Sequence, residues 1–338
     1  MKKVAVEEAV GMVLGHDMTQ IIPGKYKGAR FKKGDIIKEG DIPLLKDMGK
    51  DHIYILELKE GMIHENEAAE RIGHATAGEG LRLTKPSEGK VSYIAQYPGL
   101  LEIDLDRLYK INNIDDIILS TLHTDIVVQE GQVVAGTRIN PLVTEVRNIK
   151  QVEDLAEDEE VLRILPFKQM KIGVIITGNE VYHGRIEDKF GPILESKLKK
   201  FGAELLEVIY LPDDATEITT TIMGLKAAGA DAVITGGGMS VDPDDVTPTG
   251  IRKSGAEVIK YGAPVLPGSQ FMMAYLDDMP IMGTPACAMF HETTIFDLIF
   301  PKIMVGKKVT REDIVRLGHG GFCMKCEKCR YPICPFGK

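Results

Sequence analysis

Tryptophan is absent from the sequence, and aromatic residues make up only 6% of its 338 residues. This scarcity argues against a protein that is built on aromatic stacking platforms. Positive charge is also in the minority, because 41 Lys and Arg stand against 50 Asp and Glu, and the formal net charge is −9. Such an acidic chain is a poor candidate for binding nucleic acid or an anionic membrane surface, so we expect neither partner.

Long apolar runs are missing as well. Nowhere do about 18 apolar residues follow one another, which predicts that no segment spans a membrane. Lys2 and Lys3 supply positive charge at the start, but Glu7 and Glu8 interrupt the apolar stretch that a secretory signal requires. We therefore expect a cytoplasmic protein. The hydrophobic content of 44% suffices for a full core, and the length predicts two or three domains.

Cysteine is scarce until the end of the sequence. Cys287 stands alone, whereas four of the five cysteines fall within the last 16 residues. In a cytoplasmic chain such crowding indicates a metal site rather than a disulfide framework. The expected ligands follow the pattern C-x2-C-x2-C-x4-C-P and are Cys323, Cys326, Cys329 and Cys334.

The spacing of these four cysteines leaves the metal open. The bacterial ferredoxin run, C-x2-C-x2-C-x3-C-P, is one residue shorter, and its fourth cysteine serves a second cluster. A Zn²⁺ ion and a single four-iron Fe–S cluster are both compatible with the pattern, and a metal-free reduced tail is the simpler alternative. His319 is a substitute ligand, and Gly318, Gly320 and Gly321 predict a flexible joint through which the tail docks on a partner.

Changes in composition and residue pattern along the sequence predict four segments. Residues 1–64 form a small β-rich domain with a turn at Pro23-Gly24 and a helix that begins at Asp41; residues 65–167 form an α+β middle region. Residues 168–310 form an α/β domain, and residues 311–338 form the cysteine-rich tail. In the middle region the patterns predict strands at 92–100 and 126–134, a turn at 133–137, and helices at 64–72, 112–121 and 151–164.

The α/β domain has the clearest pattern. Lys171–Thr177 reads KIGVIIT, a continuous apolar run typical of a strand covered on both faces. Further strands are predicted at 205–211, 231–235 and 280–282, with helices at 191–202, 213–228, 245–253 and 291–302. This alternation predicts a mostly parallel sheet with helices on both sides, and such sheets bind ligands beyond the carboxyl ends of their strands.

Three loops that follow strand ends carry glycine together with acids or hydroxyls: residues 177–188, residues 235–248, and residues 264–268 with 283–285. In the second loop, three successive glycines allow close backbone approach, so their amides can converge on an anion together with the hydroxyl of Ser240. A helix that begins near Asp245 would point its N-terminus at the same place.

The acidic residues of this second loop disfavour the binding of an anion on its own. Asp242, Asp244 and Asp245 would repel a bare phosphate unless they hold Mg²⁺ or cap the helix. A plain turn followed by an N-cap is the simpler interpretation of the same residues. The spacing matches neither the P-loop nor the G-x-G-x-x-G dinucleotide motif.

The loops together resemble a known family. Thr-Gly-Asn-Glu, Gly-x-Ile-x-Asp, Gly-Gly-x-Ser before Pro-x-Asp-Val-Thr-Pro, Leu-Pro-Gly and Gly-x-Pro follow one another as in the MoaB/Mog-like, molybdopterin-binding domain of molybdenum-cofactor biosynthesis. Molybdopterin adenylyltransferase and molybdopterin molybdenumtransferase share that domain. The resemblance covers roughly residues 168–310. It implies an αβα fold, binding of molybdopterin or molybdenum cofactor, an adenylyl group in the enzymes, and a homo-oligomer.

The resemblance also implies the residues of the site. Its cofactor-binding positions fall on Thr177, Gly178, Glu180, Gly237, Gly238, Ser240, Pro267, Gly268, Gly283 and Pro285. The catalytic positions fall on Asp188 and Asp245, which would hold Mg²⁺ against the phosphates of ATP.

Two departures from the family make binding better supported than turnover. Where the family has Asp-Ser-Asn, this chain has Asp188-Lys189-Phe190. Where the molybdenumtransferase branch has Gly-Leu-Pro-Gly-Asn-Pro, this chain has Gly-Thr-Pro-Ala-Cys-Ala at 283–288. Phe190 removes a polar contact and would narrow the site. Cys287 is either a small buried hydrophobe or a contact to sulfur or molybdenum.

These patterns lead to one main function and two alternatives. The main one is binding of molybdopterin or molybdenum cofactor for its biosynthesis, handling or insertion, with Mg-ATP-dependent adenylyl or molybdenum transfer if the protein is catalytic. The first alternative is a nucleotide-processing enzyme of the competence-damage-inducible type. The second is a non-catalytic chaperone whose tail docks on a molybdoenzyme. The choice between molybdenum and tungsten stays open.

Overall fold

The computed structural model describes residues 2–22, 26–56, 59–240 and 245–338. The chain divides into two compact units. The first comprises Met1–Tyr97, Leu101–Thr124 and Val128–Ile164, and the second comprises Pro98–Leu100, Asp125–Val127 and Leu165–Lys338. Four residues on which the sequence analysis relies lie outside the described ranges. They are Pro23 and Gly24 of the predicted turn, and Asp242 and Asp244 of the second glycine-containing loop. Within those ranges, no helix combines the length and the apolar character that crossing a bilayer would take.

The first unit begins with a small β-rich segment. Its elements are β1 (Lys2–Ala5), β2 (Val13–Leu14), β3 (Met18–Ile22), β4 (Tyr26–Phe31), α1 (Ile42–Asp47) and β5 (His52–Leu56). Strands β1, β5 and β2 form one antiparallel sheet, and β3 pairs with β4. Asp41 precedes α1 and Gly49, at φ 72°, follows it, which confirms the predicted helix. Leu14, Leu45 and Ile55 lie in the buried core of this segment.

Between residues 62 and 166, short strands and helices alternate. The strands are β6 (Met62–His64), β7 (Leu81–Leu83), β8 (Lys90–Ala95), β9 (Gly99–Ile103), β10 (Ile117–Thr121), β11 (Ile126–Val128), β12 (Val133–Ile139), β13 (Val143–Glu145) and β14 (Leu162–Pro166). The helices are α2 (Glu65–Thr76), α3 (Leu105–Asn112) and α4 (Val146–Ala156). The sheets have the orders β10-β12-β8-β7, β11-β9-β14 and β13-β6. The α+β character predicted for this region is confirmed.

The helix predicted at 112–121 is wrong. α3 ends at Asn112, and the residues from Ile117 to Thr121 form β10, where inward and outward positions alternate in burial. The side chain of Asn112 fixes the reversal between the two elements. Its Oδ1 accepts from the Leu119 amide at 2.8 Å, and its Nδ2 donates to the Leu119 carbonyl at 2.9 Å.

Four further predictions for this region need correction. The strand predicted at 92–100 is interrupted, because Pro98 has no amide to donate and lies between β8 and β9. The strand predicted at 126–134 is likewise divided into β11 and β12 around Gly131, whose φ is 80°. The turn predicted at 133–137 lies inside β12. The acidic helix predicted at 151–164 ends at Ala156, and β14 follows it.

The second unit contains one six-stranded sheet. Its strands are β15 (Lys171–Thr177), β16 (Glu204–Leu211), β17 (Ala232–Gly236), β18 (Glu257–Tyr261), β19 (Met272–Leu276) and β20 (Met279–Thr284). The sheet order is β16-β15-β17-β20-β19-β18. The pairs among β16, β15, β17 and β20 are parallel, and β19 and β18 extend the sheet in antiparallel fashion. The predicted mostly parallel sheet is thus confirmed, with two strands that the sequence analysis missed.

Helices cover both faces of this sheet. They are α5 (Asn179–Tyr182), α6 (Phe190–Lys200), α7 (Ala215–Ala227), α8 (Thr247–Lys253), α9 (Ile295–Met304) and α10 (Arg311–Arg316). Val174 packs in one core with side chains of α6 and α9, whereas its neighbour Ile175 packs in another with side chains of α7 and α8. Successive strand residues face opposite sides, so the unit has the predicted αβα layers. α9 starts at Ile295 rather than 291 because Thr294 caps it, accepting from the Phe296 amide at 3.3 Å.

The cysteine-rich tail packs on its own unit, and the predicted flexible joint is wrong. The Cys323 amide donates to the Leu266 carbonyl at 2.8 Å, and the Leu266 amide donates to the Gly321 carbonyl at 2.8 Å. A Cβ at Gly321 would lie 2.5 Å from the Pro264 carbonyl, so this glycine serves close packing rather than mobility. Phe336 is buried in the core shared with α6 and α9.

Candidate functional site

A cleft of about 730 Å³ opens at the carboxyl ends of β15 and β17, where the sequence predicts the ligand. Four described segments form it: the loop after β15 up to the start of α6, the loop after β16, the glycine loop after β17, and the turn after β20. Its lining residues are Ile176, Thr177, Gly178, Glu180, Val181, Ile186, Glu187, Asp188, Lys189, Phe190, Asp213, Gly236, Gly237, Gly238, Asp245, Ala286, Met289 and Phe290.

The glycine loop is pressed against the end of β15. A Cβ at Gly237, whose φ is 93°, would lie only 2.2 Å from the carbonyl oxygen of Thr177. A Cβ at Gly238 would lie 2.4 Å from Oγ1 of Thr247, at the start of α8. The hydroxyls of Thr177 and Thr247 are themselves 3.0 Å apart. These positions therefore require glycine for packing, and the same glycines leave backbone without side chains facing the cleft.

Asp188 lines the cleft but also caps α6. Its Oδ1 accepts from the Phe190 amide at 2.7 Å, and its Oδ2 accepts from the Gly191 amide at 3.0 Å and from the Tyr210 hydroxyl at 3.0 Å. Partial burial, together with this bond to Asp188, raises the pKa of Tyr210. Asp188 therefore caps α6 in addition to lining the cleft.

The described lining of the cleft is strongly acidic. Five carboxylates line it, those of Glu180, Glu187, Asp188, Asp213 and Asp245, and the basic side chain among the described lining residues is that of Lys189. An anionic ligand in this cleft needs a cation to offset the carboxylates. In the described part of the chain, no three acidic, histidine or cysteine side chains already converge on a single metal position.

Phe190 lies at the base of the cleft. It is only 4% exposed and belongs to the core beneath the sheet. A Cβ at Gly236 would lie 2.6 Å from its ring, so strand β17 and this phenylalanine are in close contact. Phe190 thus gives the cleft an apolar wall, and the narrowing that its departure from the family implies stays a prediction.

Several residues predicted from the family motifs lie elsewhere. Those absent from the described lining are Ser240, Pro267, Gly268, Gly283 and Pro285. The Ser240 hydroxyl accepts from Nε2 of Gln270 at 3.1 Å instead. A Cβ at Gly268 would lie 2.7 Å from Cγ2 of Ile295, and one at Gly283 would lie 2.5 Å from Cε of Met239, so neighbouring side chains pack directly against both glycines. The structure brings together Thr177, Gly178, Glu180, Asp188, Gly237, Gly238 and Asp245.

Sequence reasoning missed Asp213 as a cleft residue. Its Oδ2 accepts from the Asn179 amide at 2.9 Å, and Oδ1 of Asn179 accepts from the Asp213 amide at 3.3 Å. This reciprocal pair links the ends of β15 and β16. The signal in the sequence is that Asp213 follows a parallel strand at its carboxyl end, although Asp213-Asp214 also has the character of a helix start. Asp214 alone caps α7, accepting from the Thr216 amide at 2.7 Å.

Cys287 fits the simpler of its two interpretations. It is half-buried, it is not among the described residues that line the cleft, and burial raises the pKa of its thiol. A thiol with a raised pKa is a poor nucleophile and a poor metal ligand at neutral pH.

The four tail cysteines share a second cavity, of about 470 Å³. All of Cys323, Cys326, Cys329 and Cys334 line it, as does His291, whereas His319 is exposed and is not among the described lining residues. Sγ of Cys329 lies 3.3 Å from Oγ1 of Thr293. Phe290 lines both this cavity and the cleft.

Comparison with known families agrees with the fold and the loops. Residues 173–308 match the model of a family described as a probable molybdopterin binding domain. The matched segment includes every described residue that lines the cleft. Residues 3–57 match a second model, that of a domain of unknown function.

Individual relatives match only parts of the chain. A CinA-like protein of Mycobacterium sp. (strain JLS) is 36% identical over 90 residues, which are 26% of this chain and 21% of the relative. The chain thus spans about a fifth of that curated relative's length. A tungsten cofactor synthesizing protein MoaB from Pyrococcus furiosus is 22% identical and has a TM-score of 0.33, covering 41% of this chain and 93% of its own. The protein CinA from Thermoplasma acidophilum is 18% identical and has a TM-score of 0.32, covering 36% of this chain and 90% of its own.

Proposed function

We propose that the cleft beyond β15 and β17 binds molybdopterin or molybdenum cofactor, and that the protein takes part in the biosynthesis, handling or insertion of that cofactor. The observation that carries the proposal is the glycine loop. It is fixed against Thr177 at the ends of neighbouring parallel strands, it opens onto the cleft, and it lies within the segment that matches the molybdopterin-binding family.

The cleft fits such a ligand in size and in chemistry. Its volume of about 730 Å³ lies in the usual range for small-molecule sites. Val181, Ile186, Met289 and Phe290 offer apolar surface to a flat ring system, and the glycine loop offers backbone amides to a phosphate. Glu180 and Gly178 lie side by side at the end of β15, since a Cβ at Gly178 would be 2.9 Å from Oε1 of Glu180.

We further propose that phosphate binding in this cleft depends on Mg²⁺. The described lining holds five carboxylates and one lysine, so a phosphate without a cation would be repelled. Asp188 and Asp245 are the residues that would hold the ion, and Mg²⁺ there would neutralise the phosphate charge of a nucleotide. Asp188 would do so with the lone pairs that its bonds to α6 leave free. If the protein is catalytic, adenylyl or molybdenum transfer with Mg-ATP is the expected reaction class.

The decisive experiment is a titration of the full-length protein with molybdopterin, with and without Mg-ATP, scored for binding and for an adenylylated product. Binding supports cofactor handling. Product supports an enzyme, and binding without product supports a carrier or chaperone for a molybdoenzyme. Absence of any binding would overturn the proposal.

A second candidate is favoured by the match to the CinA-like relative, which exceeds 30% identity over the matched segment. On this proposal the cleft processes a nucleotide of the competence-damage-inducible type. Hydrolysis of a nucleotide by a protein that has no affinity for molybdopterin would support it. Molybdopterin binding without hydrolysis would contradict it.

The tail, the compartment and the assembly complete the proposal. We propose that the four tail cysteines bind a metal centre, either zinc or iron–sulfur, since all four line one cavity. We also propose a cytoplasmic protein that associates with further copies of itself and delivers cofactor to a molybdoenzyme. Metal analysis, fractionation and light scattering test these points one by one.

A further inference from the structure

The arrangement of the tail cysteines around their cavity distinguishes between the two metal centres. Four thiolates that hold one zinc ion lie about 2.3 Å from it and hence about 3.8 Å from one another. Within the ranges that the structure describes, no three cysteine, histidine or acidic side chains converge on such a point. Cys323, Cys326, Cys329 and Cys334 instead border a cavity of about 470 Å³.

In the described ranges the four cysteines thus border one cavity without converging on a point, whereas four sulfurs that hold a single ion surround it directly. Cysteines that hold an iron–sulfur cluster bind its outer iron atoms, so their sulfurs surround a volume instead of a point. The cavity therefore matches a polynuclear cluster better than a mononuclear zinc site.

An apolar rim around the same cavity is an independent observation. Phe290, Phe322, Met324 and Ile333 are 80%, 71%, 72% and 88% exposed, more than any other large hydrophobic side chain in the described ranges, and all four line this cavity. Single exposed hydrophobic residues are common on protein surfaces, but four around one cavity indicate a binding site. Apolar surroundings limit the access of water to an iron–sulfur cluster and tune its potential.

The tail is also held in place. The backbone bond from Cys323 to Leu266 and the burial of Phe336 fix both ends of the cysteine run on the α/β unit. Lys325 and Arg330 line the cavity together with Glu292 and Glu327, so the positive and negative side chains of its described lining balance one another.

We propose that Cys323, Cys326, Cys329 and Cys334 together bind one four-iron, four-sulfur cluster in this cavity. Because Phe290 lines both the cavity and the cleft, the cluster lies directly beside the ligand site. The inference rests on the metal centre proposed for the tail, and it does not depend on what the cleft binds.

The test is elemental analysis of the full-length protein, purified without oxygen and again after anaerobic incubation with iron, sulfide and a thiol. We expect about four iron atoms and about four acid-labile sulfides per chain, with broad visible absorption. One zinc per chain and no iron would overturn the cluster while leaving a metal centre in the tail. No bound metal would overturn both. Iron and sulfide in a protein that fails to bind molybdopterin would count against the proposed cleft function alone.

Two cysteine variants make the assignment specific. Cys326 is exposed, so Cys326→Ala should leave the thermal melting point of the metal-free protein unchanged while most of the iron is lost. Cys287→Ala is the matched control, because Cys287 is not among the described residues that line the cavity, and it should retain the full iron content. Equal iron contents in the two variants would overturn the assignment.

Discussion

Among the described glycines that line the cleft, Gly237 is the one at which an added Cβ would come closest to another atom. Alanine there would have to adopt a φ near 93°, and its Cβ would lie 2.2 Å from the Thr177 carbonyl oxygen. Gly229 offers a matched control, since its φ is 86° but a Cβ there would meet nothing within 4 Å. Both replacements cost roughly 1–2 kcal/mol for the left-handed backbone. Only Gly237→Ala adds a backbone overlap, whose relief costs about 1–3 kcal/mol more.

We therefore expect Gly229→Ala to lower the free energy of unfolding by roughly 1–2 kcal/mol and Gly237→Ala to lower it by roughly 2–5 kcal/mol. Denaturant unfolding followed by circular dichroism measures both, since the chain has no tryptophan to report by fluorescence. Gly237→Ala must also separate the glycine loop from Thr177, so it should weaken ligand binding, whereas Gly229→Ala should not. Equal destabilisation by the two variants would refute the close approach of the two loops.

Three further predictions concern charges in the α/β unit. Asp188→Ala removes the acceptor at the start of α6 and should lower the free energy of unfolding, measured in thermal melts, by about 1 kcal/mol. Asp188→Asn should keep most of that stability and lose only Mg²⁺-dependent ligand binding. Lys197→Met leaves the Asp297 carboxylate, which accepts from Nζ at 2.6 Å and 2.7 Å, without its buried cation. It should cost roughly 3–5 kcal/mol in denaturant unfolding, and an unchanged midpoint would contradict the pair. Backbone donors from Glu217 and Thr216 lower the pKa of Asp214. Its contribution is therefore complete above the unfolded pKa of about 3.9 and is lost as the pH falls through the lower folded pKa. The difference in melting point between wild type and Asp214→Ala should then shrink below about pH 4, and a difference that grows on acidification would contradict this.

The α/β unit was predictable because its strands are covered on both faces. A continuous apolar run as short as Lys171–Thr177 is typical of a buried strand, and its alternation with amphipathic helices allows only a few topologies. The middle region was not predictable in the same detail. Its strands are short. Side-chain hydrogen bonds, such as those of Asn112 with Leu119, decide where its elements end, and no periodic pattern in the sequence predicts such bonds.

The candidate site, like the fold, could be predicted only in part from the sequence. Residues on the ends of adjacent parallel strands, such as Thr177 and Gly237, are brought together by the topology and could be expected from it. Ser240 could not be placed, because the direction of its side chain depends on Gln270, which is far away in the sequence. The glycines before the tail were misjudged for a related reason. The sequence shows that Gly321 is small, but only the fold shows that the Pro264 carbonyl occupies the space beside it.

The central claim is that the cleft beyond β15 and β17 binds a pterin phosphate by way of its glycine loop. The most direct test is a titration of wild type, Gly237→Ala and Gly229→Ala with molybdopterin, in the presence and absence of Mg²⁺. We predict saturable binding by wild type and Gly229→Ala, and weaker binding by Gly237→Ala or without Mg²⁺. No binding by wild type, or equal binding by all three proteins, would contradict the claim.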